Sequence, residues 1–187
     1  MKINRSHVSN GIFAIVLLLL LIPQTRKPIL LGFNKVRAMF APSVKYNADN
    51  AKLSEYSWSL LDKEGNTLKL SDMKGEVIFV NLWATWCAPC IAEMSAMDEL
   101  YRDYKDKMKF LFISNEELYK VNAFLTSKGY DLSNFKPASP YPSQLSSKTI
   151  PATFIIGKNG VIHVTKKGPA DWNSDNVRKL LDKLTVE

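Results

Sequence analysis

Hydrophobic positions divide the chain into a short N-terminal segment and a longer part in which strand and helix periodicities alternate. Residues 12–22 form an unbroken apolar run, and extension back to Val8 gives fifteen residues. As a helix this run spans roughly 22 Å, less than the ~30 Å hydrocarbon core of a bilayer. We favour an uncleaved signal anchor over residues 1–27, lengthened by snorkelling basic side chains. A cleaved signal peptide is the alternative, although residues 23–27 lack the small-residue cleavage site that it needs.

Residues 28–48 carry apolar side chains at helical spacing, with basic residues between them. The apolar positions are Ile29, Phe33, Val36 and Phe40. This pattern predicts an amphipathic juxtamembrane helix along the membrane surface, and a partly ordered linker is the alternative.

The remaining residues, 49–187, predict one α/β domain. Alternating and continuous apolar runs indicate six strands, at 56–61, 67–70, 76–83, 109–114, 152–156 and 161–165. Helical stripes indicate three helices, over 87–104, between Ser114 and Gly129, and after Ser174. The order of these elements favours an α/β sandwich with a central mixed sheet flanked by helices.

Local signals refine the middle of this domain. Ser114 and Glu117 form a predicted capping box at the start of the second helix, and Gly129 has the position of a left-handed C-cap. Residues 130–149 hold three prolines and five serines, and we therefore expect an irregular insert there.

The net charge of +7 comes from the N-terminal part of the chain. Residues 1–48 hold seven basic side chains and no acidic one, whereas 18 basic and 18 acidic side chains cancel in the rest. A nucleic-acid-binding protein is expected to carry its basic excess on the folded domain, so we expect no nucleic-acid partner. Because the excess flanks the apolar run, it indicates a membrane segment instead.

The candidate chemistry lies between strand 76–83 and the first helix, in the sequence Trp86-Cys87-Ala88-Pro89-Cys90. Unpaired N–H groups at a helix start stabilise a thiolate, so we expect Cys87 to ionise more readily than free cysteine, whose pKa is about 8.5. Cys90 lies one turn further on, within reach of a disulfide, and Pro89 stiffens the turn between the sulfurs. The pair therefore predicts a redox-active site.

Three other interpretations compete with the redox site. A structural staple would close a four-residue loop and contribute roughly 2 kcal/mol without joining distant parts of the chain. A zinc site lacks ligands, because the histidines are His7 in the tail and His163, which we expect to be a surface residue. A Cu(I) carrier would suit two soft thiolates, but the nearby Met94 and Met97 fall on the apparent core stripe of the helix.

Residues 80–90, Val-Asn-Leu-Trp-Ala-Thr-Trp-Cys-Ala-Pro-Cys, followed by Glu93, resemble the membrane-anchored thioredoxin-like proteins of the TlpA, ResA and DsbE group. Residues 149–154, Thr-Ile-Pro-Ala-Thr-Phe, resemble the second signature of that group, in which the proline has a cis peptide bond and faces the cysteines. The resemblance covers residues 54–184. It implies a thioredoxin-like fold with extra N-terminal strands, a single-pass anchor in the bacterial inner membrane and a periplasmic catalytic domain.

The resemblance also implies a role for each matching residue. Cys87 would attack a substrate disulfide, and Cys90 would resolve the mixed disulfide. Pro151 would hold the backbone of Ile150 beside the sulfurs, where it can pair with the substrate main chain. Trp86 is interpreted as part of the docking surface, because a large aromatic side chain beside a nucleophile offers contact area.

Glu93 matches the glutamate of the ResA-like branch, whereas Asn81 replaces the buried acid of classical thioredoxins. We hypothesise that Glu93 exchanges a proton with Cys90 and that burial raises its pKa. A solvated helix glutamate is the alternative. Trp83, on the other side of the site, is interpreted as a core residue.

We therefore expect an enzyme, a reductase of protein disulfides that uses no cofactor. Its expected partners are proteins with thiols or disulfides, apo-cytochrome c among them, and a membrane electron donor of the thiol-reductase type. Ile150 and the dipeptide Ala88-Pro89 resemble those of reductases more than those of strong oxidants, which implies the reductive direction. A disulfide oxidase or isomerase is the alternative within the same class.

Overall fold

The computed structural model describes residues 51–187, which form a mixed β-sheet flanked by helices. The predicted signal anchor, the predicted juxtamembrane helix and the first two residues of the predicted domain lie outside the described residues. Within residues 51–187, no helix has both the length and the apolar character needed to cross a membrane.

The described residues contain seven strands, three α-helices and two short 3₁₀ helices. The strands are β1 (Ser59–Leu61), β2 (Thr67–Lys69), β3 (Ile78–Leu82), β4 (Lys109–Ile113), β5 (Asn134–Pro137), β6 (Ala152–Ile156) and β7 (Ile162–Lys167). The α-helices are α1 (Ala88–Tyr104), α2 (Leu118–Lys128) and α3 (Asp175–Val186), and the 3₁₀ helices are Leu70–Met73 and Ser143–Leu145.

The strands lie in the order β2-β1-β5-β4-β3-β6-β7. β3 runs parallel to β4 and antiparallel to β6, which confirms the predicted mixed sheet. β4 and β5 are parallel, β6 and β7 are antiparallel, and the extra N-terminal hairpin β1-β2 joins through antiparallel pairing of β1 with β5. The strand that leads to the cysteine pair, β3, therefore has a neighbour on each side.

Both faces of the sheet are covered, which explains why every residue of β3 is buried. Phe79 belongs to one hydrophobic cluster, to which all three helices contribute, with Met94, Val121 and Leu181 among its members; we name it the helix-side cluster. Alternate residues of β3 belong to a second cluster, the hairpin-side cluster, whose members include Trp58, Leu60, Leu70, Ile78, Val80 and Leu82. The period-two alternation of a strand thus divides the core into two layers.

The predicted irregular insert contains a strand, and this part of the prediction is wrong. β5 pairs with β4 through Asn134 and Phe135, and with β1 through Lys136 and Pro137. β5 pairs with each neighbouring strand over only two residues, which is too short for a pattern of alternating apolar and polar residues. The proline at its end also argues against a strand. β5 nevertheless joins the N-terminal hairpin to the rest of the sheet.

The predicted capping box is also wrong. Helix α2 begins at Leu118, and its N-cap residue, Glu117, makes no side-chain capping bond. The hydroxyl of Ser114 instead accepts a hydrogen bond from the backbone N–H of Glu116 at 3.2 Å. At the other end of α2 the prediction is confirmed, because Gly129 has a φ of 72° and caps the helix in the left-handed region.

Several strand boundaries differ from the prediction by one to three residues. The predicted strand 56–61 begins only at Ser59, and the predicted strand 67–70 gives way to a 3₁₀ helix at Leu70. The last strand extends to Lys167. The predicted third helix is confirmed, with Ser174 as its N-cap and four apolar residues buried, Val177, Leu180, Leu181 and Leu184.

Candidate active site

Helix α1 begins at the cysteine pair. Cys87 is the N-cap residue, with extended backbone, and its Sγ accepts a hydrogen bond from the backbone N–H of Cys90 at 3.3 Å. Pro89 stands in the first turn, where an N–H would have no intrahelical partner. The first sulfur therefore lies where the free N–H groups of the helix converge, which is the arrangement that stabilises a thiolate.

The two cysteines form a disulfide, with their Cα atoms 5.2 Å apart. Cys87 is 4% exposed and Cys90 is 1% exposed, so the residue predicted to attack the substrate is the more accessible of the two. The neighbouring Trp86 is 73% exposed. A large aromatic side chain therefore lies in solvent next to a nearly covered sulfur and offers contact area there.

The cis peptide bond implied by the resemblance is present between Ile150 and Pro151. The next residue, Ala152, begins β6 and pairs with Leu82 at the end of β3. Pro151 therefore lies at the end of the sheet where β3 leads on to the cysteines. Ile150 and Trp86 both line a cavity of about 170 Å³ at this end. The structure thus brings the two predicted substrate-binding residues together from distant parts of the chain.

Glu93 on α1 is buried, with 1% of its surface exposed, so the solvated alternative is wrong. Its Oε2 accepts hydrogen bonds from Ala170 N–H at 3.1 Å and from Trp172 Nε1–H at 3.0 Å. Its Oε1 lies 3.5 Å from Asn81 Nδ2. Burial raises the pKa of Glu93 to about 8, although these three donors and the charge of Lys166 act in the opposite direction.

A neutral polar pair lies on the central strands next to Glu93. Asn81 on β3 and Thr153 on β6 are partners across the antiparallel ladder, and both are buried. Asn81 Nδ2 donates to Thr153 Oγ1 at 2.8 Å, a much shorter bond than its contact with Glu93. Asn81 is therefore held mainly by Thr153, and it offers Glu93 a weak neutral donor instead of a second charge.

Two parts of the site are not predicted by the sequence. Ala170 and Trp172 hold the Glu93 carboxylate although they follow it by 77 and 79 residues, and no local pattern marks them. Glu116 accepts hydrogen bonds from the N–H and the hydroxyl of Thr85, both at 2.7 Å. The signal that could have found Glu116 was its place just after β4, because parallel strands bring their carboxyl ends to one edge.

The other residues singled out in the sequence pack against neighbouring parts of the fold. Trp83, Met94 and Met97 are buried, as expected of core residues. His163 is only partly exposed instead of lying freely on the surface, its ring packs closely against Gly157, and burial lowers its pKa. Within residues 51–187, no group of three or more His, Cys, Asp or Glu side chains is arranged to hold a metal ion.

Comparison with known proteins places these features in a family context. The AhpC/TSA family profile matches residues 48–165. A thiol-disulfide oxidoreductase ResA of Bacillus cereus is 29% identical over 158 residues, which cover 82% of this chain and 88% of that protein. The protein of the same name from Bacillus thuringiensis subsp. konkukian is 33% identical over 130 residues, 66% of this chain and 72% of that protein.

A solved structure supports the fold independently. The crystal structure of a thiol:disulfide interchange protein, a thioredoxin family protein from Chlorobium tepidum TLS, matches with a TM-score of 0.60 and 24% identity. The match covers 74% of this chain and 99% of that one. The fold of residues 51–187 is therefore thioredoxin-like, as the sequence predicts.

Proposed function

This chain belongs to the AhpC/TSA family, in its ResA-like group of thiol–disulfide oxidoreductases, and we propose that it reduces protein disulfides through Cys87 and Cys90. The observation that carries the proposal is the disulfide at the start of α1, whose first sulfur caps the helix. This bridge joins residues only three positions apart, so its contribution to stability is small.

Reduction of a substrate takes two thiol–disulfide exchanges. The Cys87 thiolate attacks one sulfur of the substrate disulfide, forms a mixed disulfide and releases the other substrate sulfur, which takes up a proton. Cys90 then loses its proton and attacks Cys87 Sγ. The second substrate sulfur leaves as a thiol, and the Cys87–Cys90 disulfide forms again. Two electrons and two protons have passed from the enzyme dithiol to the substrate.

Glu93 is the proposed acceptor of the Cys90 proton. The two residues are three positions apart on α1 and therefore lie on the same face of the helix. At neutral pH most of a carboxyl with a pKa of about 8 is protonated; the ionised fraction is a much stronger base than an exposed glutamate, and the protonated form can return the proton. Its two hydrogen bonds to Ala170 and Trp172 keep the carboxylate in one orientation.

Trp86, Ile150 and Pro151 are the proposed contacts with the substrate. The exposed ring of Trp86 and the side chain of Ile150 line one cavity, so a segment next to the substrate cysteine would bury apolar surface there. The backbone of Ile150 is the proposed partner for the main chain of that segment. Contacts of this kind orient the substrate disulfide towards Cys87 before exchange.

The proposed location is the periplasmic side of a bacterial inner membrane, with the N-terminal segment as the anchor. This rests on the apolar run at 12–22, on its flanking basic residues and on the family resemblance. In an oxidising compartment the dithiol must be regenerated, and the proposed source is a membrane electron donor of the thiol-reductase type. Apo-cytochrome c, with paired cysteines, is one proposed substrate.

Direction and activity are tested together on the purified protein. We expect the reduced protein to reduce the disulfides of insulin, and we expect equilibration with glutathione to give a reducing potential. A potential above about −150 mV would make the protein an oxidant and would overturn the reductive direction. Failure to exchange with insulin or with glutathione would overturn the function itself.

Substrates are identified by trapping. We expect Cys90→Ser to accumulate mixed disulfides through Cys87 in intact cells, because the resolving thiol is absent, and mass spectrometry of the adducts names the partners. The matched control is Cys87→Ser, which keeps one cysteine but removes the attacking one. Equal trapping by the two variants would contradict the assignment of Cys87 as the nucleophile.

A further inference from the structure

The loop between β3 and α1 is tied to the end of β4 by one side chain. Thr85 N–H donates to Glu116 Oε2 and Thr85 Oγ1–H donates to Glu116 Oε1, both at 2.7 Å. Within the loop, Cys87 N–H donates to Ala84 O at 3.1 Å. The Glu116 carboxylate thus binds the residue at the middle of a tight turn that ends at the attacking cysteine.

Glu116 is itself held by the sheet. Its backbone N–H donates to Ser114 Oγ at 3.2 Å, and Ser114 Oγ–H points back to Glu116 Oε2 at 3.3 Å. Ser114 follows directly on β4 and is 1% exposed. Because β3 and β4 are paired over five residues, the carboxylate and the loop that it binds are attached to the same rigid part of the fold.

In the oxidised protein the disulfide adds a covalent constraint between Cys87 and Cys90, and reduction removes it. We propose that Glu116 is a positioning residue that keeps residues 84–87 in place when the disulfide is open, so that Cys87 Sγ stays at the start of α1. Glu116 acts through Thr85 and takes no part in sulfur exchange. The inference rests on the proposed function, because it concerns the dithiol state that such an enzyme must populate.

Two pairs of variants separate the two hydrogen bonds from the charge. Glu116→Gln removes the charge but keeps an acceptor for Thr85 N–H and a donor for its hydroxyl, whereas Glu116→Ala removes both contacts. Thr85→Ser keeps the hydroxyl, and Thr85→Val removes it with little change in volume. The control is Glu117→Ala, since Glu117 is the adjacent carboxylate, lies in solvent and pairs with Lys136 at 2.6 Å.

The measurement is the rate at which iodoacetamide alkylates Cys87 as a function of pH, on full-length protein with Cys90→Ser, where Cys87 is the single thiol. We expect Glu116→Ala to slow alkylation at neutral pH about three- to tenfold and to move the midpoint upwards, because the sulfur leaves the helix start. Thr85→Val changes both in the same direction by less. Glu116→Gln, Thr85→Ser and Glu117→Ala stay within about twofold of the parent protein.

An unchanged rate and midpoint in Glu116→Ala would overturn the proposal. So would an equal loss in Glu116→Gln, because that result would assign the effect to charge. Circular dichroism and thermal unfolding report whether Glu116→Ala is folded, and if it is not, the comparison of Thr85→Val with Thr85→Ser decides. Alkylation needs no disulfide substrate, so a protein that fails to reduce insulin but gives this pattern would lose the proposed function and keep the positioning residue.

Discussion

The helix-side and hairpin-side clusters lie on opposite faces of one sheet, and they differ in the kind of residue that they enclose. The helix side contains the cysteine pair, and Glu93 is buried on α1 beside it. The hairpin side is built on Trp58, Leu60 and Leu70. Of the described carboxylates, the two that are buried are Glu93 and Asp98, and both belong to α1.

Strand β3 serves both faces. Phe79 and Asn81 point to the helix side, whereas Ile78, Val80 and Leu82 point to the hairpin side. Alternate residues of one strand therefore contribute to the polar site and to the apolar cluster on the opposite face. Burial of a carboxylate costs free energy, and the raised pKa of Glu93 reflects this cost. The comparison indicates that the helix side gives up some stability to keep a titratable group, whereas the hairpin side has no such cost.

The largest expected effect is on the hairpin side. Trp58 is 1% exposed and its ring lies 5.1 Å from that of Tyr141. We expect Trp58→Ala to lower the free energy of unfolding by about 3–5 kcal/mol, measured by urea denaturation, because it leaves a large cavity. The pKa of Glu93 on the helix side, measured by NMR titration, should not change. A shift of that pKa would show that the two faces are not separate.

The second expected effect is a pH dependence on the helix side. The pKa of Glu93 rises from an ordinary 4.5 to about 8 on folding, so the folded state holds a proton that the unfolded chain releases. Stability contributed by the neutral carboxyl is therefore complete below the lower value and is lost as the pH rises through the higher one. Between about pH 5 and about pH 7 we expect this group to reduce the free energy of unfolding by about 2–3 kcal/mol.

Glu93→Gln tests both the stability and the proposed proton transfer. Its amide stays neutral, so the variant should lose this part of the pH dependence of unfolding, measured by denaturation at a series of pH values. We also expect the exchange rate of the parent protein to follow the ionisation of Glu93, with a pKa of about 8, and that of the variant to lose this dependence. Exchange rates that match the parent protein at every pH would remove Glu93 from the mechanism, whatever the stability data show.

The sequence was informative where the signal was local. Cys87 and Cys90 are one helical turn apart, and Glu93 is one further turn along the same helix, so spacing alone placed them on one face. Asn81 could be singled out because it directly follows an apolar run and belongs to the signature at residues 80–90. The strong periodicity of α3 likewise predicted its four buried residues correctly.

The missing parts depend on contacts between distant segments. In the sequence Trp172 is an isolated aromatic residue, and only the fold brings its Nε1–H to the carboxylate of Glu93. The acidic residues near Ser114 suggest a local helix cap, whereas the carboxylate of Glu116 binds Thr85, 31 positions earlier. β5 is too short to be predicted from its own sequence. It has only two residue pairs with each neighbouring strand, so it forms a strand only in the context of the folded sheet.

The smallest expected effect comes from two buried tryptophans, one on each face, and it isolates a single hydrogen bond. Trp172 packs edge-on against Phe79 at 5.3 Å and donates from Nε1 to Glu93 Oε2, which lowers the pKa of Glu93. Trp58 Nε1, by contrast, is buried with no hydrogen-bond partner among residues 51–187. Substitution of each by phenylalanine keeps an aromatic ring and removes the N–H group.

We expect Trp172→Phe to raise the pKa of Glu93 further, by about one unit, because the ionised carboxylate loses a donor while its burial persists. Trp58→Phe should leave that pKa unchanged and cost only the free energy of a small cavity. The measurement is an NMR titration of the ¹³C-labelled Glu93 carboxyl in both variants. If the two substitutions shift the titration equally, Glu93 responds to packing across the whole sheet, and the separation between an apolar supporting face and a polar reacting face does not hold.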